Sequence, residues 1–187
     1  LRAETAFPSD HPLFGGGMST DSPGAHRALE DVDVVLAVGA NFISQTFYLP
    51  EPLVSPSTRV IHLDTDPWKV GKNQPTDVGI VADIKLGLQE LISAVSKQMS
   101  PGLKKAAWER VKRISDENRK RREALCQRAA ESWDWEPISD IHLMLDLKEC
   151  LPADATLVDG GVTASVALRD HLDFTEPDSC LAFRDND

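Results

Sequence analysis

The chain has 187 residues, of which 41% are hydrophobic, 27% charged and 6% aromatic, the composition of an ordinary globular protein and not of a disordered one. That length accommodates one full domain, part of a second, and a packed core. A net charge of -10 excludes a general nucleic-acid surface, because phosphate backbones require a basic field.

Three cysteines, at 126, 150 and 180, lack CxxC spacing and are odd in number, which fits reduced thiols in a cytoplasmic protein. No apolar run approaches the roughly 20 residues of a membrane span, so no membrane partner is expected. The chain starts at Leu1 without a methionine and stops at "CLAFRDND", inside what reads as an element. It therefore reads as a fragment of a longer polypeptide.

In chain order, "FPSDHPLFGGGMSTDSPG" (7–24) is dense in Pro, Gly and Ser and predicts a long loop. Ser22 and Pro23 then supply an N-cap and first helical position for a short helix through Leu29. "VDVVLAVGA" (32–40) is a nearly continuous apolar run closed by Gly39, as expected of a strand buried on both faces of a parallel sheet. "RVIHLDT" (59–65) and "VGIVADI" (78–84) predict two further strands. Asp83 caps the next helix, whose apolar positions Leu88, Leu91, Ile92, Val95 and Met99 recur at helical spacing.

Ser100 and Pro101 repeat the cap signal and open a long helix through about Glu131 with a thin apolar stripe, broken by Asn118. Residues 103–131 hold ten Lys and Arg against five acids, so this stretch carries +5 and the remainder -15. Its "RKRR" (119–122) is interleaved with Glu117 and Glu123, which favours a solvated or domain-spanning helix over a nucleic-acid patch. "WDWEP" (133–137) breaks the composition. Beyond it Ser139 caps a helix that Pro152 ends, "ATLVDGG" forms a strand, and a helix follows from about Thr163 to His171.

Neither GxGxxG after a strand nor a P-loop occurs, and GxSxG and HExxH are also missing from the sequence. Two pieces carry candidate chemistry. In "RVIHLDTDP" (59–67), turn chemistry before proline accounts for Asp66, while Asp64 at the carboxyl end of a parallel strand is placed to accept both hydroxyls of a ribose. In "LVDGGVT", Gly160 and Gly161 either relieve a tight turn or admit a phosphate to the backbone, with the Thr163 hydroxyl at the helix start.

Taken together, "FPSDHPLFGG", "LEDVDVVLAVGANF", "RVIHLDTDPWKVGKN" and "VGIVADI" resemble, in order and spacing, the central domain of thiamine diphosphate-dependent enzymes of the acetolactate synthase and benzoylformate decarboxylase type. "LPADATLVDGGVTASVAL" resembles the start of their C-terminal, diphosphate-binding domain. The resemblance implies an α/β fold: a Rossmann-like central domain with a six-stranded parallel sheet and flanking helices over 1–99, a linker helix over 100–136, and a truncated second α/β domain over 137–187. It implies thiamine diphosphate and Mg in the intact enzyme, with Gly160, Gly161, Val162 and Thr163 meeting the diphosphate.

The resemblance further implies a 2-oxo acid substrate, a dimer or tetramer at full length, and chemistry that belongs to the cofactor: addition to the 2-oxo acid, loss of carbon dioxide, then protonation or joining to a second carbonyl. The activating glutamate and the Gly-Asp-Gly motif for Mg are not among these residues, so the isolated chain is expected to be inactive. Gly39, Ala40, Asn41, Asp64 and Asp66 match the strand ends where some relatives bind FAD or ADP. FAD-binding relatives carry Arg where Asn41 stands, so a colourless protein is expected. The rival reading is a non-catalytic ADP-, FAD- or NAD-binding or regulatory module of the same fold.

Overall fold

The computed structural model describes residues 2–3, 5–17, 23–42, 52–161 and 164–182. The chain packs as two compact units, 18–102 and a second formed by 1–17 with 103–187.

In the 18–102 unit, β2 (Val34–Val38), β3 (Arg59–Asp64) and β4 (Val78–Val81) form a parallel sheet in the order β2-β3-β4. The register pairs Val38 with Leu63 and Asp64 with Val81, so the carboxyl ends of all three strands lie at one edge. β3 is central and its Val60, His62, Leu63 and Asp64 are buried. Helix α1 (Pro23–Leu29) contributes Ala25 and Leu29 to a core with Leu53, Val54 and Val60. The predicted cap of α1, Ser22, lies outside the described residues.

The opposite edge is tied by side chains. Thr58 Oγ1 donates to the Val32 carbonyl at 2.6 Å. The Asp77 carboxylate accepts from the Val60 N–H at 2.8 Å and from Arg59 Nη1 at 2.5 Å. These bonds, the backbone one foremost, hold Asp77 below the ordinary aspartate range. Helix α2 (Ile84–Gln98) begins where expected, with Asp83 Oδ1 accepting from Leu86 N–H at 2.9 Å.

One expectation fails here. β2 is not buried on both faces: Val34 is 49% and Leu36 41% exposed. The apolar run has the composition of a doubly covered strand, but among the described residues of this unit only one face of it finds a cover. Helix α2 behaves alike, contributing no buried residue although its apolar spacing is regular.

In the other unit, β5 (Leu157–Asp159) pairs parallel with β6 (Cys180–Ala182), which pairs antiparallel with β1 (Arg2–Ala3). Neither β1 nor β6 was legible as a strand, both being too short to show a period. Helices α4 (Asp140–Cys150) and α5 (Ala164–His171) enclose Met144, Ala167, Leu168, Leu172, Phe174 and Cys180. Ser139 caps α4 through its hydroxyl, which accepts from His142 N–H at 3.1 Å.

The long helix α3 (Pro101–Glu131) buries only Ala129. Part of its basic run forms surface pairs one turn apart, Arg113 with Glu117 and Arg119 with Glu123. Arg121 and Arg122, with Asn118, do something the sequence did not reveal. Asn118, Arg121 and Arg122 donate to backbone carbonyls of residues 9–15 and fasten that loop to the helix.

Candidate cofactor site

The two predicted sites fall in separate units. In the 18–102 unit, Gly39 ends β2 with φ +57, and its N–H donates to the Leu63 carbonyl at 2.9 Å. A Cβ here would lie 2.6 Å from Ile84 Cδ1, so the backbone conformation calls for glycine and any side chain would also have to displace the tip of Ile84. The next carbonyl, Ala40, accepts from His62 Nε2 at 3.2 Å and from Phe42 N–H at 2.8 Å. His62 Nδ1 accepts from Gly71 N–H at 3.4 Å, which fixes the tautomer. His62, passed over in the sequence, is thus the buried post that holds the β2 turn. Asn41 is exposed.

Asp64 and Asp66 both close turns. Asp64 Oδ1 accepts from Asp66 N–H at 2.9 Å, and Asp66 Oδ1 from Trp68 N–H at 3.0 Å. Turn chemistry accounts for Asp66 entirely. For Asp64 it accounts for one oxygen only: the residue is 2% exposed, and Oδ2 has no hydrogen-bond partner among the described residues. A buried carboxylate oxygen without a donor is costly. An incoming hydroxyl would satisfy it.

This edge fits the ribose end of a nucleotide and not its diphosphate end. The N-terminus of α2, the natural anion seat at this edge, is already filled by the Asp83 carboxylate. No cation stands at position 41.

In the other unit, β5 runs through Asp159 to Gly160 and Gly161, and α5 begins at Ala164; Val162 and Thr163 lie outside the described residues. Both glycines are exposed. A Cβ at Gly160 would meet nothing within 4 Å, whereas at Gly161 it would come 3.3 Å from Ser165 Oγ. Gly161 is the more crowded of the two.

The loop is locked by three side chains, none of them singled out in the sequence. Asp159 Oδ1 accepts from Gly161 N–H at 3.1 Å and from Ser165 Oγ at 2.6 Å, while Oδ2 pairs with Arg169 Nη2 at 3.1 Å. Burial by itself raises the pKa of Asp159, but the Ser165 hydroxyl, the Gly161 amide and the Arg169 charge outweigh it and hold the group below its ordinary value. Ser165 and Arg169 stand one turn apart on α5, a spacing that offered a signal in the sequence. The consequence is electrostatic. Arg169 neutralises the carboxylate beside the loop, so an anion approaching Gly160 is not met by an unbalanced negative charge. The residues present therefore fit the diphosphate of thiamine diphosphate.

The glycine turns and acids lie at the carboxyl ends of parallel strands, where open α/β sheets place their ligands. The comparisons make that specific. Residues 1–91 match the family described as thiamine pyrophosphate enzyme, central domain. The acetolactate synthase of Mycobacterium bovis is 34% identical over 115 residues, 58% of this chain and 18% of that protein. The acetolactate synthase large subunit of Cyanidium caldarium is 32% identical over 99 residues, 52% of this chain and 17% of that protein.

Among solved structures, the thiamine diphosphate-dependent 4-hydroxybenzoylformate decarboxylase of Rhodococcus jostii RHA1 superposes with a TM-score of 0.63 at 19% identity, covering 94% of this chain and 30% of that one. Residues 1–91 are thus similar to a thiamine pyrophosphate enzyme central domain, and somewhat more than half of the chain to acetolactate synthases. The chain spans less than a fifth of the curated relatives' length. Residues 1–17, inside the matched range, pack with 103–187.

Proposed function

We propose that this chain is the central domain and the first portion of the diphosphate-binding domain of a thiamine diphosphate- and Mg-dependent enzyme. Its substrate is a 2-oxo acid, which it decarboxylates or, as an acetolactate synthase-like carboligase, condenses with a second carbonyl compound. The observation that carries the reading is the Asp159–Ser165–Arg169 lock behind two exposed glycines, in a chain that bears the family's central domain. When bound, the cofactor supplies the carbanion chemistry. The chain's own part is to hold the Gly160–Gly161 backbone rigid, to keep Asp159 neutralised, and to present the start of α5 to the diphosphate. Val162 and Thr163 complete that set. The full-length enzyme is a cytoplasmic dimer or tetramer, and these 187 residues alone are inactive.

The buried, half-satisfied Asp64 favours a second reading, a nucleotide-binding module without carbanion chemistry that uses Gly39, Ala40 and Asn41 only as backbone. One assay separates the two. Carbon dioxide release from pyruvate and benzoylformate is measured with thiamine diphosphate and Mg, using this sequence expressed within its uninterrupted reading frame. Turnover that falls more than tenfold on Gly161→Val is expected. Turnover indifferent to that change, or the absence of turnover, would overturn the assignment.

A further inference from the structure

Outside both strand edges, the unit formed by 1–17 and 103–187 contains a cavity of about 200 Å³ whose wall includes Ser9, Arg121, Arg122, Cys126 and Lys148. Pockets for drug-sized ligands run to about 300–1,000 Å³, so the occupant of this one is small. Its wall carries four cations, Arg121, Arg122, Lys148 and Arg169, and two acids, Asp170 and Asp173, so its charge is positive on balance. Lys148 is paired with Asp173 at 2.7 Å and Arg169 with Asp159 at 3.1 Å. Arg121 and Arg122 meet no carboxylate among the described residues: Arg121 donates to the Gly15 and Phe14 carbonyls, and Arg122 to those of Ser9, Asp10 and His11.

Carbonyl oxygens orient a guanidinium without cancelling its charge. Two guanidiniums therefore line one small cavity against the single further carboxylate of Asp170, an excess of positive charge in a chain whose net charge is -10. A guanidinium presents five N–H donors in a rigid fork, and the donors of Arg121 and Arg122 that the loop carbonyls leave over match an anion with three acceptor oxygens better than a monocarboxylate with two. The volume exceeds what a bare phosphate group fills, leaving room for a short organic body.

We propose that this cavity binds a small phosphomonoester, with Arg121 and Arg122 holding its phosphate.

The molecule carries its own reporter. Cys126 lies on the cavity wall four residues after Arg122, while Cys150 is exposed and is not part of it. Alkylation of each thiol by iodoacetamide is followed by peptide mass spectrometry on the full chain, with glycerol 3-phosphate, inorganic phosphate, or sodium chloride at matched ionic strength. Glycerol 3-phosphate is expected to slow Cys126 at least fivefold and saturably, more than inorganic phosphate does, with Cys150 unchanged. Arg122→Gln abolishes the protection. Because Arg122 also holds the loop, Leu125→Glu, which adds a carboxylate to the wall without touching those contacts, serves as the second variant and abolishes it too. Equal slowing of both thiols, no slowing, or protection that survives Leu125→Glu would overturn the site. Inorganic phosphate protecting as well as the ester would overturn the ester.

Discussion

Asp64 and Asp159 sit at corresponding places in the two units, each buried at the carboxyl end of a strand in a parallel pair, and they are 2% and 6% exposed. Their surroundings differ in the way that matters. Asp159 has a hydroxyl, an amide and a guanidinium across its two oxygens, whereas Asp64 uses one oxygen for a turn and leaves the other without a donor. A fully satisfied buried carboxylate organises its neighbours and is spent as a ligand; a half-satisfied one retains an acceptor to offer. The same residue type in the same topological place thus serves as scaffold in one unit and as candidate contact in the other.

The largest expected effect breaks the scaffold. Arg169→Met leaves Asp159 buried without its cation, and orphaning one member of a buried pair costs about 3–5 kcal/mol. The Arg169 side chain is 33% exposed, so a loss near 2–3 kcal/mol is expected in urea denaturation, with cooperativity of the 1–17 and 103–187 unit falling first. Asp159→Asn should cost about 1–2 kcal/mol by weakening the same pair. Asp64→Asn keeps an acceptor for the Asp66 amide and should change stability by less than about 0.5 kcal/mol. Equal costs for the two Asn variants would erase the contrast.

The backbone gives the next tier. Gly39→Ala forces a Cβ into the left-handed region and against Ile84, an expected loss of about 1–2 kcal/mol. Gly161→Ala, with a 3.3 Å approach to Ser165 Oγ, should cost less, about 1 kcal/mol. Gly160→Ala meets nothing within 4 Å and should be near neutral. Thermal melts of the three variants check the order.

The pH dependence is a smaller and shared effect. Folding holds Asp159 and Asp77 below the ordinary aspartate value of 3.8, so the unfolded chain binds more protons at these sites in the acid range. Their stabilisation is complete above that value and is lost as pH falls through the lower, folded values. Urea midpoints should begin to fall as pH drops below about 6.5, where burial holds His171 below its ordinary value and the unfolded chain takes up the proton, and fall further below about pH 4. In Asp159→Asn the acid fall should be shallower. Last, the purified chain should be colourless, since the diphosphate end of the Asp64 edge is blocked by Asp83 and lacks a cation at Asn41. Bound flavin in its absorption spectrum would mean that backbone amides replace that cation.

What was legible in the sequence was local. Asp83, Ser139 and the Ser100–Pro101 pair announced their helices because a cap acts within three residues of itself, and the boundaries fell where expected. The central strands announced themselves by runs of Val, Ile and Leu. The ordered fragments also pointed to the family whose model matches residues 1–91, since order and spacing survive where single motifs are weak.

What was illegible depended on partners distant in the chain. Asn118 looked like a flaw in an apolar stripe until its amide met the Pro12 carbonyl, 106 residues away. The exposure of Val34 and Leu36 cannot be read from their own apolarity, because it reports what covers them. Asp159 stood in plain view beside the glycines, but its role depends on Ser165 and Arg169, whose helical spacing matters only once α5 is folded back over β5.

The most direct test of the cofactor assignment is an amide NMR titration of this chain with thiamine diphosphate and Mg up to millimolar concentration. The account predicts shifts at Gly160 and Gly161, none at Gly39 or Gly71, and no saturation in the micromolar range, since a few backbone contacts fall far short of the roughly 8 kcal/mol that micromolar binding represents. Micromolar saturation, or shifts confined to Gly39 and its neighbours, would contradict it.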